Sequence, residues 1–220
     1  QKKIILTGSC YLNTLKQKKY NYQNNKFVFF YVSGPVNFFK VDLEEYDPLS
    51  RIKHKINIKK LIYDVLIKYE NTILYYKPFP IKSFGDILLD DKLYHEYKKR
   101  IKIINTKPIN LVNETDLMLY DMISTGLIES IVQNISSLVY LDEKQLFLNN
   151  NTISKIIQDL KNNKKLFTEY DIGLNLISSI ISNKDNSSSL NNIPNLFLKY
   201  CGDKSSKKEY LSIIDKTINI

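Results

Sequence analysis

Three short segments of this sequence place small, hydroxylated or charged residues directly after apolar runs. They are Ser33-Gly34-Pro35, Lys77-Pro78-Phe79-Pro80, and Asp121-Met122-Ile123-Ser124-Thr125-Gly126, the last with Glu129 one turn further on. A glycine after a strand lets the backbone come close to a ligand. A Ser-Thr-Gly run opening a helix offers unsatisfied N–H groups, hydroxyl donors and the positive end of the helix dipole, which together suit an anion such as a diphosphate. Lys77 at a strand tip would add a cation beside the same crevice. Each segment also has a plainer reading. Ser33-Gly34-Pro35 can be the tight turn that any strand-to-helix connection needs. Ser124 or Thr125 can simply cap a helix whose first turns Glu129 favours, and Lys77 can be a surface lysine.

Other chemistries find little support. His54 and His95 fall in predicted helices away from the carboxyl ends of the strands and read as surface or helix-end residues. No grouping of His, Cys, Asp or Glu has metal-ligand spacing, so no metal site is expected, and neither a Gly-x-Ser-x-Gly elbow nor a phosphate-binding P-loop occurs. Cys10 and Cys201 match neither a zinc motif nor a disulfide framework, which fits a reducing compartment. With 32 Lys and Arg against 23 Asp and Glu, the formal charge is +9. That excess suits phosphates, nucleic acid or an anionic membrane surface alike. It is almost all lysine spread along the chain, and only Arg51 and Arg100 could offer a bidentate fork. A specific nucleic-acid surface is therefore not the favoured reading.

These segments need a scaffold, and 220 residues with 43% hydrophobic and 12% aromatic content can bury a sizeable core. Apolar runs at 27–32, 72–77, 101–104, 117–120 and 137–141 alternate with helical-period stretches near 54–70, 87–99, 108–115, 124–133 and 152–162. The runs are near-continuously apolar, as expected of strands buried on both faces. The expectation is α/β: a Rossmann-like, doubly wound parallel sheet of about five to six strands over residues 26–170. Residues 1–25 carry a short strand at Ile4-Ile5-Leu6 and a polar connector. Residues 171–220 read as a C-terminal helical extension, with a mobile Ser/Asn-rich loop at 183–192 and a helical piece at 193–200. No apolar run approaches the ~20 residues that span a bilayer, and the amino end is too brief for a signal peptide. The expected location is cytoplasmic, possible contact being peripheral at the inner face of the membrane. A chain beginning at Gln1 fits one part of something longer.

Taken in order, the Ser33-Gly34 loop, "YYKPFP" at 75–80, "IKIINTKPINLVNETDLMLYDMISTGLIES" at 101–130 and "SLVYLDE" at 137–143 resemble the donor-binding C-terminal half of GT-B-fold glycosyltransferases. The likeness is to bacterial enzymes of capsule, teichoic-acid and other surface-polysaccharide synthesis, including polyglycerol-phosphate polymerases. It covers about residues 26–165, and "KIILTGSCYLNTLK" at 3–16 looks like the linker from a preceding half, so the resemblance makes residues 1–25 that linker. In those families a strand ends in Lys-Pro-His-Pro, and Asp-x-x-Ser-Thr-Gly later opens a helix that carries an acidic residue.

The resemblance implies that Ser124, Thr125 and Gly126 hold the phosphates of a nucleotide-activated sugar or polyol donor. It implies that Glu129 meets the donor's sugar or ribose hydroxyls, that Ser33 and Gly34 form the glycine-containing loop, and that Lys77 is the lysine of the Lys-Pro-His-Pro element. It further implies a polysaccharide or lipid-linked acceptor and no cofactor beyond the donor. Phe79 stands where the family has His, and a phenyl ring cannot donate to a phosphate oxygen. The catalytic base belongs mostly to the other half of such enzymes and is not assigned. Two rivals stand beside this reading: a non-catalytic interaction module that keeps the fold, and a basic nucleic-acid-binding α/β domain.

Overall fold

A computed structural model describes residues 26–34, 48–79, 92–141 and 151–183, together with Leu15. The expected strand at residues 4–6, nearly all of the loop at 183–192 and the helical piece at 193–200 lie outside these residues. Six strands are formed: β1 Phe27–Val32, β2 Thr72–Lys77, β3 Ile101–Ile103, β4 Leu117–Tyr120, β5 Ser136–Tyr140 and β6 Leu166–Phe167. They pair in the order β3-β2-β1-β4-β5-β6, every neighbour parallel. The helices are α1 Pro48–Lys68, α2 Lys92–Tyr97, α3 Thr125–Val132, α4 Asn151–Asn162 and α5 Tyr170–Ser182, with 3-10 turns at Lys98–Arg100 and Pro108–Glu114. The sheet is open, six-stranded and parallel with helices on its faces, which is the Rossmann-like α/β fold that the apolar runs predict.

Alternation along each strand sends side chains to two separate cores. Phe27, Phe29, Tyr31, Leu74, Tyr76, Leu117 and Leu119 pack with Ile58, Leu61, Ile62 and Leu66 of α1 and with Ile177 and Ile180 of α5. Val28, Phe30, Tyr75, Met118, Tyr120 and Val139 pack with Leu127 and Ile131 of α3 and with Ile157 and Leu160 of α4. Burying one such side chain fully contributes about 1.5–3 kcal/mol, so strands covered on both sides hold most of the driving force for folding.

Helix α1 begins at Pro48, about six residues before the helical-period stretch near 54–70 read from the sequence. Proline's fixed φ and missing N–H suit the first helical position, so Pro48 can open the helix. Strand β6 is not among the elements read from sequence, because a two-residue strand carries no period; α5 falls in the expected C-terminal helical extension and packs onto the sheet through its buried Gly173, Ile177 and Ile180. That glycine is a close approach: a Cβ there would lie 2.2 Å from Cε2 of Phe167. Tyr170 donates its hydroxyl proton to the Asp64 carboxylate, and the Lys60 ammonium lies 4.6 Å from the Tyr170 ring centroid, fastening α5 to α1.

Helices α3 and α4 end in the same way. Asn134 and Lys164 adopt φ of 62° and 53°. Ile135 N–H donates to Ser130 C=O at 3.0 Å and Lys165 N–H to Leu160 C=O at 2.8 Å, the closing bonds of Schellman caps that turn the chain directly into β5 and β6. Arg100 caps the end of α1 differently. Its guanidinium donates to the carbonyls of Leu66, Tyr69 and Glu70 at 2.6, 3.0 and 3.0 Å. One of the two arginines that could have met a phosphate is thus committed to a helix end at the amino side of the sheet.

Lys165, at the start of β6, is buried beside Ser136 and Ser137 in a cavity of about 10 Å³. Burial lowers its pKa from 10.5 to about 8. Below pH 8 the folded state therefore holds a buried charge at a cost. Between pH 8 and 10.5 the unfolded chain binds more protons than the folded one, so this group's contribution to stability rises with pH. Lys165→Met removes this titration, so the variant's stability relative to the unaltered protein is expected to fall by on the order of 1 to 2 kcal/mol between pH 7 and pH 10. Paired thermal melts of both proteins at pH 7 and pH 10 measure it, and an equal difference at both pH values would contradict it.

Candidate functional site

Parallel register fixes where the three loops emerge. Val32 lies opposite Lys77 on one side and Tyr120 on the other, so the residues that follow these strands leave the same edge of the sheet. Between β1 and β4 the chain order reverses: β2 and β3 build outward on one side of β1, and β4, β5 and β6 on the other. The carboxyl ends flanking such a switch point form the crevice in which open α/β sheets bind ligands.

Asp121, the residue directly after β4, joins the two sides of this crevice. Its Oδ1 accepts the Gly34 N–H at 2.6 Å and its Oδ2 accepts the Tyr31 hydroxyl at 2.9 Å. Lys55, from α1, is ion-paired to the same Oδ2. The Lys55 ammonium also donates to Ser33 Oγ at 2.7 Å, Gly34 C=O at 2.8 Å and the Tyr31 hydroxyl at 3.2 Å. Lys55 and Asp121 are 4% and 0% exposed, so two opposite charges are enclosed together. Burial first, and then the Asp121 charge, hold the Tyr31 phenol well above its ordinary pKa, so it stays protonated and donates.

On the far side of the crevice Ser124 is the N-cap of α3. Its extended backbone (φ −135°, ψ 166°) lets Oγ accept the Leu127 N–H at 3.4 Å. Thr125 and Gly126 are then the first two helical residues, whose N–H groups have no acceptor within the helix. Thr125 is exposed and Gly126 half-buried. Tyr120 ties this entry to the sheet by donating to Gly126 C=O at 2.8 Å. Burial raises the Tyr120 phenol above its usual range, and the nearby Glu129 carboxylate adds to the rise.

The structure brings Ser33 and Gly34 into one network with Asp121 and sets Ser124, Thr125 and Gly126 at the helix start four residues on. Glu129 is half-buried in the second turn of α3. Lys77 contributes its backbone, since its carbonyl accepts the Ser33 N–H at 3.0 Å. Its ammonium reaches to the opposite side and donates to Thr106 C=O, in the loop after β3, at 2.9 Å. Phe79 is half-buried.

Two of the residues just described were open to a closer reading of the sequence. The apolar stripe Ile58, Leu61, Ile62, Val65 of α1, continued back one turn, passes through His54 and Lys55. A lysine on a buried stripe requires a countercharge, and Asp121 after β4 is a candidate at the right end of the sheet. The same stripe corrects the surface reading of His54, which is 3% exposed with its ring 4.6 Å from that of Tyr140 at the carboxyl end of β5. His95 is exposed, as expected. Two hollows lined by described residues lie at the amino ends of the strands, one beside Lys165 and one beside Phe27, Tyr69 and Thr72. Among the described residues there is no cluster of metal-ligating side chains, and no helix is long and apolar enough to cross a membrane.

No protein-family model matches the sequence, and no curated protein matches it significantly. Solved structures do match the fold. A Listeria monocytogenes protein superposes with a TM-score of 0.56 at 15% identity, over 97% of this chain and 53% of its own. A UDP-GlcNAc 2-epimerase from Neisseria meningitidis, bound to UDP-GlcNAc, gives 0.56 at 13% identity over 88% of this chain and 46% of its own. Os79 from O. sativa, in complex with UDP, gives 0.52 at 14% identity over 94% and 43%. The chain spans about half the length of the structures it matches. Structural neighbours at this level of similarity include UDP-GlcNAc 2-epimerases. At these identities the likeness establishes the fold alone, an open parallel Rossmann-like sheet.

Proposed function

We propose that the crevice between β1 and β4 binds the diphosphate of a nucleotide-activated sugar or polyol, and that the chain is the donor-binding half of a GT-B transferase. One observation supports the reading. At the switch point of the sheet, Asp121 accepts the Gly34 N–H, so the Ser33-Gly34 loop and the segment that enters α3 adjoin at the carboxyl ends of β1 and β4. As the donor bond breaks, negative charge develops on the departing nucleotide diphosphate. In this reading the first N–H groups of α3, the positive end of its dipole and the Thr125 hydroxyl stabilise that charge. UDP and UDP-GlcNAc, held by proteins of the same fold, are the natural probes.

In this proposal the acceptor is a polysaccharide or lipid-linked chain of the cell surface, reached from the cytoplasm at the inner face of the membrane. The similarity to a 2-epimerase favours a second reading, in which the same donor site serves epimerisation of a nucleotide sugar instead of its transfer. The two share the binding step and differ in product.

The double substitution Ser124→Ala and Thr125→Ala is expected to weaken UDP binding by about 1–3 kcal/mol, because a charged phosphate oxygen loses its hydroxyl donors. Loss of the Ser124 cap should cost roughly 0.5–2 kcal/mol of stability in the same protein. Calorimetric titration of UDP into the folded double variant tests the assignment, and an affinity equal to that of the unaltered protein would refute it.

A further inference from the structure

We infer that Lys55 and Asp121 are a positioning pair for the nucleotide site, holding the Ser33-Gly34 loop from behind and cancelling the charge that would otherwise oppose a diphosphate. The inference rests on the nucleotide-site reading above. An ammonium has three protons, and that of Lys55 is directed to the Asp121 carboxylate, Ser33 Oγ, Gly34 C=O and the Tyr31 hydroxyl. Lys55 is therefore fully engaged by the protein and is not itself a cation awaiting a ligand. Gly34 has its N–H on Asp121 and its C=O on Lys55, so both polar groups of its peptide backbone are fixed from the interior side. The loop that should face the phosphates is thereby held in a single geometry before any ligand arrives. Such preorganisation removes an ordering cost from binding.

Electrostatics adds a second reason for the pair. A carboxylate directly after β4 lies at the mouth of a site meant for an anion, and in a poorly solvated crevice like charges repel far more strongly than in water. Lys55 neutralises it in place. Stability alone does not call for this arrangement, since well-packed apolar residues commonly replace a buried ion pair with no loss. The enclosed pair, however, sits between the two loops assigned to the diphosphate, and it contacts the first of them at three atoms.

The test uses the whole chain and compares the unaltered protein with Lys55→Met and with the double variant Lys55→Met/Asp121→Leu. UDP and uridine are titrated separately by calorimetry, and amide hydrogen exchange at Gly34 is followed without ligand. The expected results are threefold. Lys55→Met, which leaves the carboxylate uncompensated, loses UDP affinity by tenfold or more, about 1.4 kcal/mol, with a smaller change for uridine. The double variant melts near the unaltered protein but still binds UDP about tenfold more weakly, because the loop is no longer held. Its Gly34 amide exchanges at least about tenfold faster.

A double variant that binds UDP as well as the unaltered protein overturns the positioning role, as does unchanged exchange at Gly34. A double variant that fails to fold shows that the pair carries the fold and not the loop, and overturns it too. If the unaltered protein binds no UDP at all, the nucleotide-site reading fails first, an outcome distinct from the others.

Discussion

Asp121→Asn is expected to destabilise the protein by about 3–5 kcal/mol, one of the largest effects available to a single polar substitution here. The amide keeps the shape of the side chain and removes its charge, so the buried Lys55 ammonium loses its countercharge and the Gly34 and Tyr31 donors face a weaker acceptor. Breaking a buried pair from one side costs far more than replacing both partners, because the remaining charge stays desolvated and uncompensated. Typical domains are stable by only 5–15 kcal/mol, so the loss should be plain in urea unfolding as a lowered midpoint. A change below about 1 kcal/mol would mean that solvent reaches the pair and that the network is not enclosed.

Phe29→Ala is expected to cost about 3–5 kcal/mol by a different route, the transfer of a large buried side chain plus the cavity left behind. Phe29 is wholly buried in the middle of β1, in the core shared with α1 and α5, where neighbouring side chains have little freedom to collapse into the gap. Strand β1 carries the Ser33-Gly34 loop. Ligand binding and stability should therefore fall together, and saturating UDP should recover part of the melting temperature by mass action. Thermal melts with and without UDP check this. A melting temperature within a few degrees of the unaltered protein would contradict the packing described for this strand.

The fold was readable because strands β1 to β5 are short apolar runs with clear punctuation, and a parallel sheet writes itself as unbroken hydrophobicity between helical stretches. Phe27–Val32 and Leu117–Tyr120 coincide with their expected bounds. Leu166–Phe167 did not announce itself, since its pairing is set by β5 and by the Schellman turn at Lys164, neither of which leaves a periodic mark. The site was readable only in outline. Glycine and hydroxyl residues after strands mark loops, and Ser124 declares its capping role by type and position. The Lys55–Asp121 pair was hidden because its partners stand 66 positions apart and one of them looks like one more lysine in a lysine-rich helix. Helical phase alone could have separated it from its neighbours: Lys53 faces outward, whereas Lys55 shares the stripe of Ile58 and Ile62. Arg100 is the reverse case, a residue type suited to phosphate that the fold uses to close a helix.

Titration of UDP into the isotopically labelled chain, followed through the backbone amide resonances, tests the central claim most directly. The account predicts saturable shifts centred on Ser33, Gly34, Asp121, Thr125 and Gly126 at the carboxyl ends of β1 and β4, with the resonances around Ser136, Lys165 and Thr72 at the amino ends unmoved. Absence of shifts at millimolar UDP, or shifts confined to the amino ends of the strands, would contradict it.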